Sequence, residues 1–322
     1  MSRDVLKWLL VSLFVVQMFS CSTAKKDAAP SPQDQEGYAE VGNGVRLFYR
    51  MMGSGPDTLV VLHGGPGFTM DYFLEDLRPL AAHHVLLFYD QRGAGGSTLV
   101  SDSASLDAQR FVDDLEALRK HFSIASLNLL GHSWGTGVAA LYAMKYPDHL
   151  NTMIIVGALP LEQHQLADAF ARLAAGRDSS TLLRMRELQE ARVADPANAD
   201  LCHQYYVLWF EPFYGVPDDP APSKGDFCAG TAESRRNKIN GVDQFTFASL
   251  GKWDWRSGLS KVKTPTLVIH GTKDPLPLEG ARAWDDVLPN GEILQLEGIG
   301  HFPYIEAPEI FFKAVNEFLR AN

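Results

Sequence analysis

Hydrophobic and polar positions along the chain fall into two kinds of run. Short, continuous apolar stretches recur at Thr58–Leu62, Val85–Tyr89, Leu127–Leu130, Met153–Val156 and Thr266–Ile269. Such runs are the pattern of strands covered on both faces. Between them, helical spacing appears over Tyr72–Ala82, Leu106–Phe122, Thr136–Met144, Glu279–Leu288 and Glu309–Leu319, with a further strand at Glu292–Leu296. At the start, Tyr38–Val41 and Val45–Arg50 flank Gly42-Asn43-Gly44, which predicts a hairpin. Strands alternating with helices predict an α/β fold, a mostly parallel sheet with helices on both faces. From Leu161 to about Ser257 the alternation stops, and the pattern is helical and rich in aromatics. The chain therefore reads as one core, residues 37–160 and 258–322, interrupted by a helical cap at 161–257.

Residues 1–36 stand outside that core. Arg3 and Lys7 precede the apolar run Trp8–Val16, which is short for a membrane span and reads as an export signal over residues 1–21. Ser20 before Cys21 resembles a bacterial lipobox, so Cys21 is expected to carry a lipid that anchors the protein to a membrane of the cell envelope. Residues 22–36 are expected to be a disordered polar tether. In an exported chain, the two remaining cysteines, Cys202 and Cys228, are expected to form a disulfide. A net charge of -10 without a basic cluster argues against a nucleic-acid partner. No histidine pair has ligand spacing on a helix, so neither a metal nor an organic cofactor is implied.

The chemistry concentrates at strand ends. Gly131-His132-Ser133-Trp134-Gly135 joins an apolar strand to a helix, the context a G-x-S-x-G nucleophile elbow requires. A serine hydroxyl is a poor nucleophile near neutral pH and needs a base, an orienting acid and an oxyanion hole. His301, in the loop after the last strand, is the candidate base. Asp274, just past the preceding strand, is the candidate acid; Asp285 and Asp286 fall in a helix and compete poorly. The oxyanion N–H groups are expected from Trp134 and from Gly64 or Gly65 in His63-Gly64-Gly65-Pro66-Gly67. Asp90-Gln91-Arg92 is expected to brace the neighbouring loop.

Together, residues 63–67, 90–97, 131–135, 271–275 and 298–309 resemble the corresponding motifs of the proline iminopeptidase family of α/β-hydrolases. The resemblance implies that fold, a Ser133-His301-Asp274 triad, and release of N-terminal proline or another small residue from short peptides. It also implies cap carboxylates that pair with the substrate's free amine. Glu211, within the aromatic segment Leu208–Phe213, and Glu233 are the candidates, with Trp209 beside them. The alternative is an esterase or lactone hydrolase that uses the same triad on small apolar acyl groups. Relatives with an Asp nucleophile are set aside by Ser133, and an idle, ligand-binding fold by the full catalytic set.

Overall fold

A computed structural model describes residues 34–216 and 222–322. Its strands are β1 (Gln35–Gly42), β2 (Val45–Gly53), β3 (Thr58–Leu62), β4 (Val85–Tyr89), β5 (Leu127–His132), β6 (Leu150–Val156), β7 (Thr266–Gly271) and β8 (Gly291–Leu296). They form one sheet in the order β1-β2-β4-β3-β5-β6-β7-β8. β1 and β2 make the antiparallel hairpin, β2 meets β4 antiparallel, and all later pairings are parallel.

The core helices are α1 (Leu74–Leu77), α2 (Ala108–His121), α3 (Trp134–Lys145), and, past the cap, α10 (Leu278–Val287), α11 (Pro303–Glu306) and α12 (Pro308–Ala321). Side chains alternate across the sheet as the pleat demands. Val60 and Leu62 join Phe111, Leu115, Tyr142 and Trp284 on one face, whereas Leu59 and Val61 join Phe73, Leu77, Phe311 and Val315 on the other. Each large apolar side chain so buried contributes roughly 1.5–3 kcal/mol.

Between β6 and β7 lie α4 (Gln163–Ala175), α5 (Ser179–Ala194), α6 (Ala199–Phe210), α7 (Ala232–Ile239), α8 (Val242–Leu250) and α9 (Arg256–Leu259). Side-chain caps start several of them: Asp178, Asn198 and Thr231 accept from backbone N–H groups in the first turns. Chain entry and exit meet at the foot of this insertion, where Trp255 N–H donates to Leu161 O and Gln163 N–H to Trp253 O. Cys202 of α6 and Cys228 are joined as a disulfide, with their Cα atoms 5.9 Å apart.

Two boundaries differ from the sequence reading. The helix read over Tyr72–Ala82 is a 3-10 turn at Met70–Tyr72, the single-turn α1, and a second 3-10 turn at Arg78–Ala82. Pro79 ends α1, because it lacks an N–H and crowds the preceding residue, whereas Phe73, with φ -141° and ψ -3°, separates α1 from the first turn. β1 begins at Gln35, so the end of the expected tether is strand instead, with Gln35 opposite Met51 and Glu36 opposite Arg50. The export signal, Cys21 and the tether up to residue 33 lie outside the described residues. Among the described residues, no helix is long and apolar enough to cross a membrane.

Candidate active site

Ser133 occupies the turn between β5 and α3 with φ 54° and ψ -121°. A non-glycine residue there costs about 1–3 kcal/mol and persists only where its surroundings enforce it. Here Ser133 N–H donates to Val156 O, while Thr136 donates to Ser133 O through both its N–H and its hydroxyl. The flanking glycines follow from close approach. A Cβ on Gly135 would sit 2.2 Å from Leu62 O, and one on Gly131 would sit 2.7 Å from Gly135 O.

His301 is set by the loop after β8: its N–H donates to Phe213 O, and Nδ1 lies 2.7 Å from Asp274 Oδ2. Asp274 Oδ1 accepts the Leu276 N–H. Burial alone would push the Asp274 carboxyl up, but its attraction to the His301 and His270 imidazoles and the hydrogen bonds from His301 and Leu276 outweigh it and hold the carboxyl below its ordinary value. Asp274 therefore stays ionised and fixes Nδ1–H on His301, leaving Nε2 free to accept a proton. Ser133 and His301 line the same cavity. No hydrogen bond joins them among the described residues, a contact that substrate binding commonly tightens.

Behind the serine runs a chain of hydrogen bonds with assignable directions. His132 Nε2 lies 3.0 Å from His301 O, a carbonyl, so Nε2 carries the proton. Its Nδ1 is then the acceptor for the Tyr72 hydroxyl at 2.6 Å, and Tyr72 Oη in turn accepts the Gly64 N–H at 2.7 Å. Burial pushes the His132 imidazole down to about 3, which keeps this tautomer neutral at ordinary pH. Gln91 binds across the same region: its amide donates to His63 O and its oxygen accepts the Trp134 indole N–H. Asp90 accepts the Met70 and Gly96 N–H groups, and Arg92 makes a buried two-point pair with Asp114.

Gly64 and Gly65 both line the cavity. Because the Gly64 N–H is already given to Tyr72, Gly65 is the member of the pair whose N–H remains to be matched with that of Trp134. Trp134 opens α3, where a backbone N–H has no partner within the helix.

The cavity, of about 460 Å³, is roofed by the cap. Its walls are largely aromatic, including Phe68, Phe210, Phe213, Phe227 and Phe302, and Trp209 is among them. Glu211 and Glu233 are not. Glu211 is exposed and faces a separate surface groove with Arg172 and Arg177, one residue beyond Phe210, where a helical turn of about 100° carries it off the cavity face. Glu233 is exposed in the first turn of α7, its carboxyl held below the ordinary value by its own backbone N–H and by the Thr231 side chain. Lys238, five residues further along α7, faces the cavity instead. The cavity's own charged cap residues are Arg192, Lys238 and Asp243, from three different helices. No motif marks them. The one local cue is Asp243 four residues before Phe247, which places both on one face of α8.

Residues 57–308 match a family model described as alpha/beta hydrolase fold. The proline iminopeptidase of Clostridioides difficile is 28% identical over 309 residues, covering 89% of this chain and 98% of that protein. That of Saccharolobus solfataricus is 26% identical, over 88% of this chain and 92% of its own. Among solved structures, the proline iminopeptidase of Mycobacterium smegmatis aligns with a TM-score of 0.70 at 24% identity, over 89% of this chain and 98% of that one, a likeness of fold. The chain belongs to the alpha/beta hydrolase fold family, and it is a hydrolase.

Proposed function

We propose that this hydrolase is a serine aminopeptidase that releases proline or another small N-terminal residue from short peptides. Ser133 attacks the scissile carbonyl while His301 Nε2 takes its proton, and Asp274 stabilises the imidazolium that forms. The N–H groups of Gly65 and Trp134 receive the developing oxyanion. His301 then protonates the leaving amine, and water hydrolyses the acyl-enzyme by the same steps in reverse roles. The observation that carries this reading is Ser133 and His301 on the wall of one cavity, with Asp274 2.7 Å behind the base.

The choice of peptides rests on the relatives named above and on Asp243, the carboxylate that lines the cavity. It takes the part expected of Glu211 and Glu233 by pairing with the substrate's free amine. A second reading, an esterase of small apolar acids, is favoured by the phenylalanine lining. Rates on prolyl anilide, N-acetylprolyl anilide and a short acyl ester separate them. The aminopeptidase turns over the free-amine anilide far faster than the blocked one, and Asp243→Asn raises KM for the free amine more than for the blocked compound. Fast ester hydrolysis with no aminoacyl cleavage overturns the peptidase assignment. Delivery to the cell envelope through a lipid on Cys21 belongs to the same reading and is supported by the sequence of residues 3–21.

A further inference from the structure

The cavity's charge does not balance. Two cations, Arg192 and Lys238, share its walls with one cap carboxylate, Asp243. Asp243 acts on Lys238 through its charge alone, with no hydrogen bond between them. Arg192 is only 7% exposed, and its Nε and Nη1 are buried with no hydrogen-bond partner among the described residues. Its guanidinium stacks over Tyr205 at 4.2 Å and lies 5.0 Å from the ring of Tyr206. Those rings hold the group in place and the Tyr206 hydroxyl interacts with it, but Nε and Nη1 are left without an acceptor, and buried donors so left are costly. Lys238 Nζ lies 3.9 Å above the Phe68 ring and donates to Pro66 O, next to the Gly65 of the oxyanion loop. An ammonium has three donors, so that bond leaves capacity for a ligand. Gln189, one turn before Arg192 on α5, lines the same wall with an amide that can add a further donor.

We propose that Arg192 and Lys238 form an anion subsite that binds a carboxylate of the substrate. The planar guanidinium suits a two-point hold on a carboxylate, and the neighbouring ammonium adds charge beside the oxyanion loop. This deepens the aminopeptidase reading and rests on it: the carboxylate is the free C-terminus of a very short peptide, whose amine meets Asp243. The same chemistry could come from an acidic acyl group in an ester, and the experiment separates the two sources.

The test is equilibrium binding to the Ser133→Ala protein, which holds substrate without consuming it. One arm compares prolyl-alanine with prolyl-alanine amide; the other compares a hemisuccinate ester with the matching butyrate ester. A preference of at least tenfold for the dipeptide acid supports the peptide source, and one confined to the hemisuccinate identifies an acidic acyl group. Adding Arg192→Gln brings the preferred ratio to within about twofold of one. If that variant fails to fold, Lys238→Met is read in its place and lowers the same ratio. Equal binding of acid and neutral ligand in both arms, no binding at all, or a ratio unmoved by Arg192→Gln overturns the subsite. Failure of the aminopeptidase reading shows separately, as absent turnover of prolyl anilide by the unmodified enzyme.

Discussion

The hydroxyl of Tyr72 lies 2.6 Å from Nδ1 of His132, the residue just before the candidate nucleophile, and accepts the Gly64 N–H from the loop after β3. One phenol thus ties the loop after β3 to the elbow after β5, and His132 carries the tie on to the backbone of His301. Tyr72→Phe deletes that link. It leaves a buried N–H and a buried imidazole nitrogen unmatched, a cost of about 1–3 kcal/mol in folding stability. Because the loop's neighbour Gly65 supplies an oxyanion donor in this account, kcat falls roughly tenfold or more with a smaller change in KM. Denaturant unfolding and steady-state kinetics measure the two effects, and an unchanged kcat would place Tyr72 in the fold alone.

Gly157, at the end of β6, has φ 56°, and a Cβ there would sit 2.8 Å from His301 Nδ1. Gly157→Ala therefore moves the base or its partner Asp274. The expected outcome is a large loss of kcat with a stability loss of about 1–3 kcal/mol. A fully active Gly157→Ala enzyme would mean that His301 is not held where its role requires.

The disulfide between Cys202 and Cys228 closes a loop with a sequence separation of 26 residues. Removing it with paired Ser substitutions frees that loop in the unfolded chain and lowers stability by about 3.5 kcal/mol on the chain-entropy model. A lower urea midpoint for the variant, and for the parent under reductant, is the expected result. Coincident unfolding curves would contradict it.

Lys238 of α7 faces Asp243 of α8, Arg192 of α5 and the neutral, buried His63. Burial pushes its ammonium down to about 8; the charge of Arg192 adds to the shift and that of Asp243 opposes it. As pH rises through about 8 this cation is lost and the guanidinium of Arg192 alone holds the ligand, so the preference for a carboxylate weakens without vanishing. Binding ratios measured from pH 6.5 to 9.5, roughly 1.5 units either side of that midpoint, read this directly. A ratio that is flat across the range would remove Lys238 from the subsite.

The sequence made the sheet and the placement of Ser133, Asp274 and His301 at strand ends legible for local reasons. Short continuous apolar runs that alternate with helical segments fit doubly covered strands, and the glycines around Ser133 are demanded by close contacts with Leu62 and Gly135. The cap was not legible in the same way. Glu211 sits one residue past a cavity-lining phenylalanine, and that single step of rotation turns it outward. Arg192, Lys238 and Asp243 converge from α5, α7 and α8, so their proximity is a tertiary fact with no spacing to reveal it. Tyr72 was hidden because the segment that looked like one helix is split at Phe73 and again before Pro79, and the phenol that reaches His132 belongs to the first of the resulting turns.

Every proposed step begins with attack by Ser133. A fluorophosphonate reacts with an activated serine and leaves a stable mass increment. One equivalent of label per chain is expected, mapped by peptide mass spectrometry to Ser133. Prolyl anilide turnover falls in step with labelling, and a folded Ser133→Ala protein shows neither label nor turnover. Label on another residue, or a Ser133→Ala protein that still hydrolyses substrate at a substantial rate, would contradict Ser133 as the nucleophile.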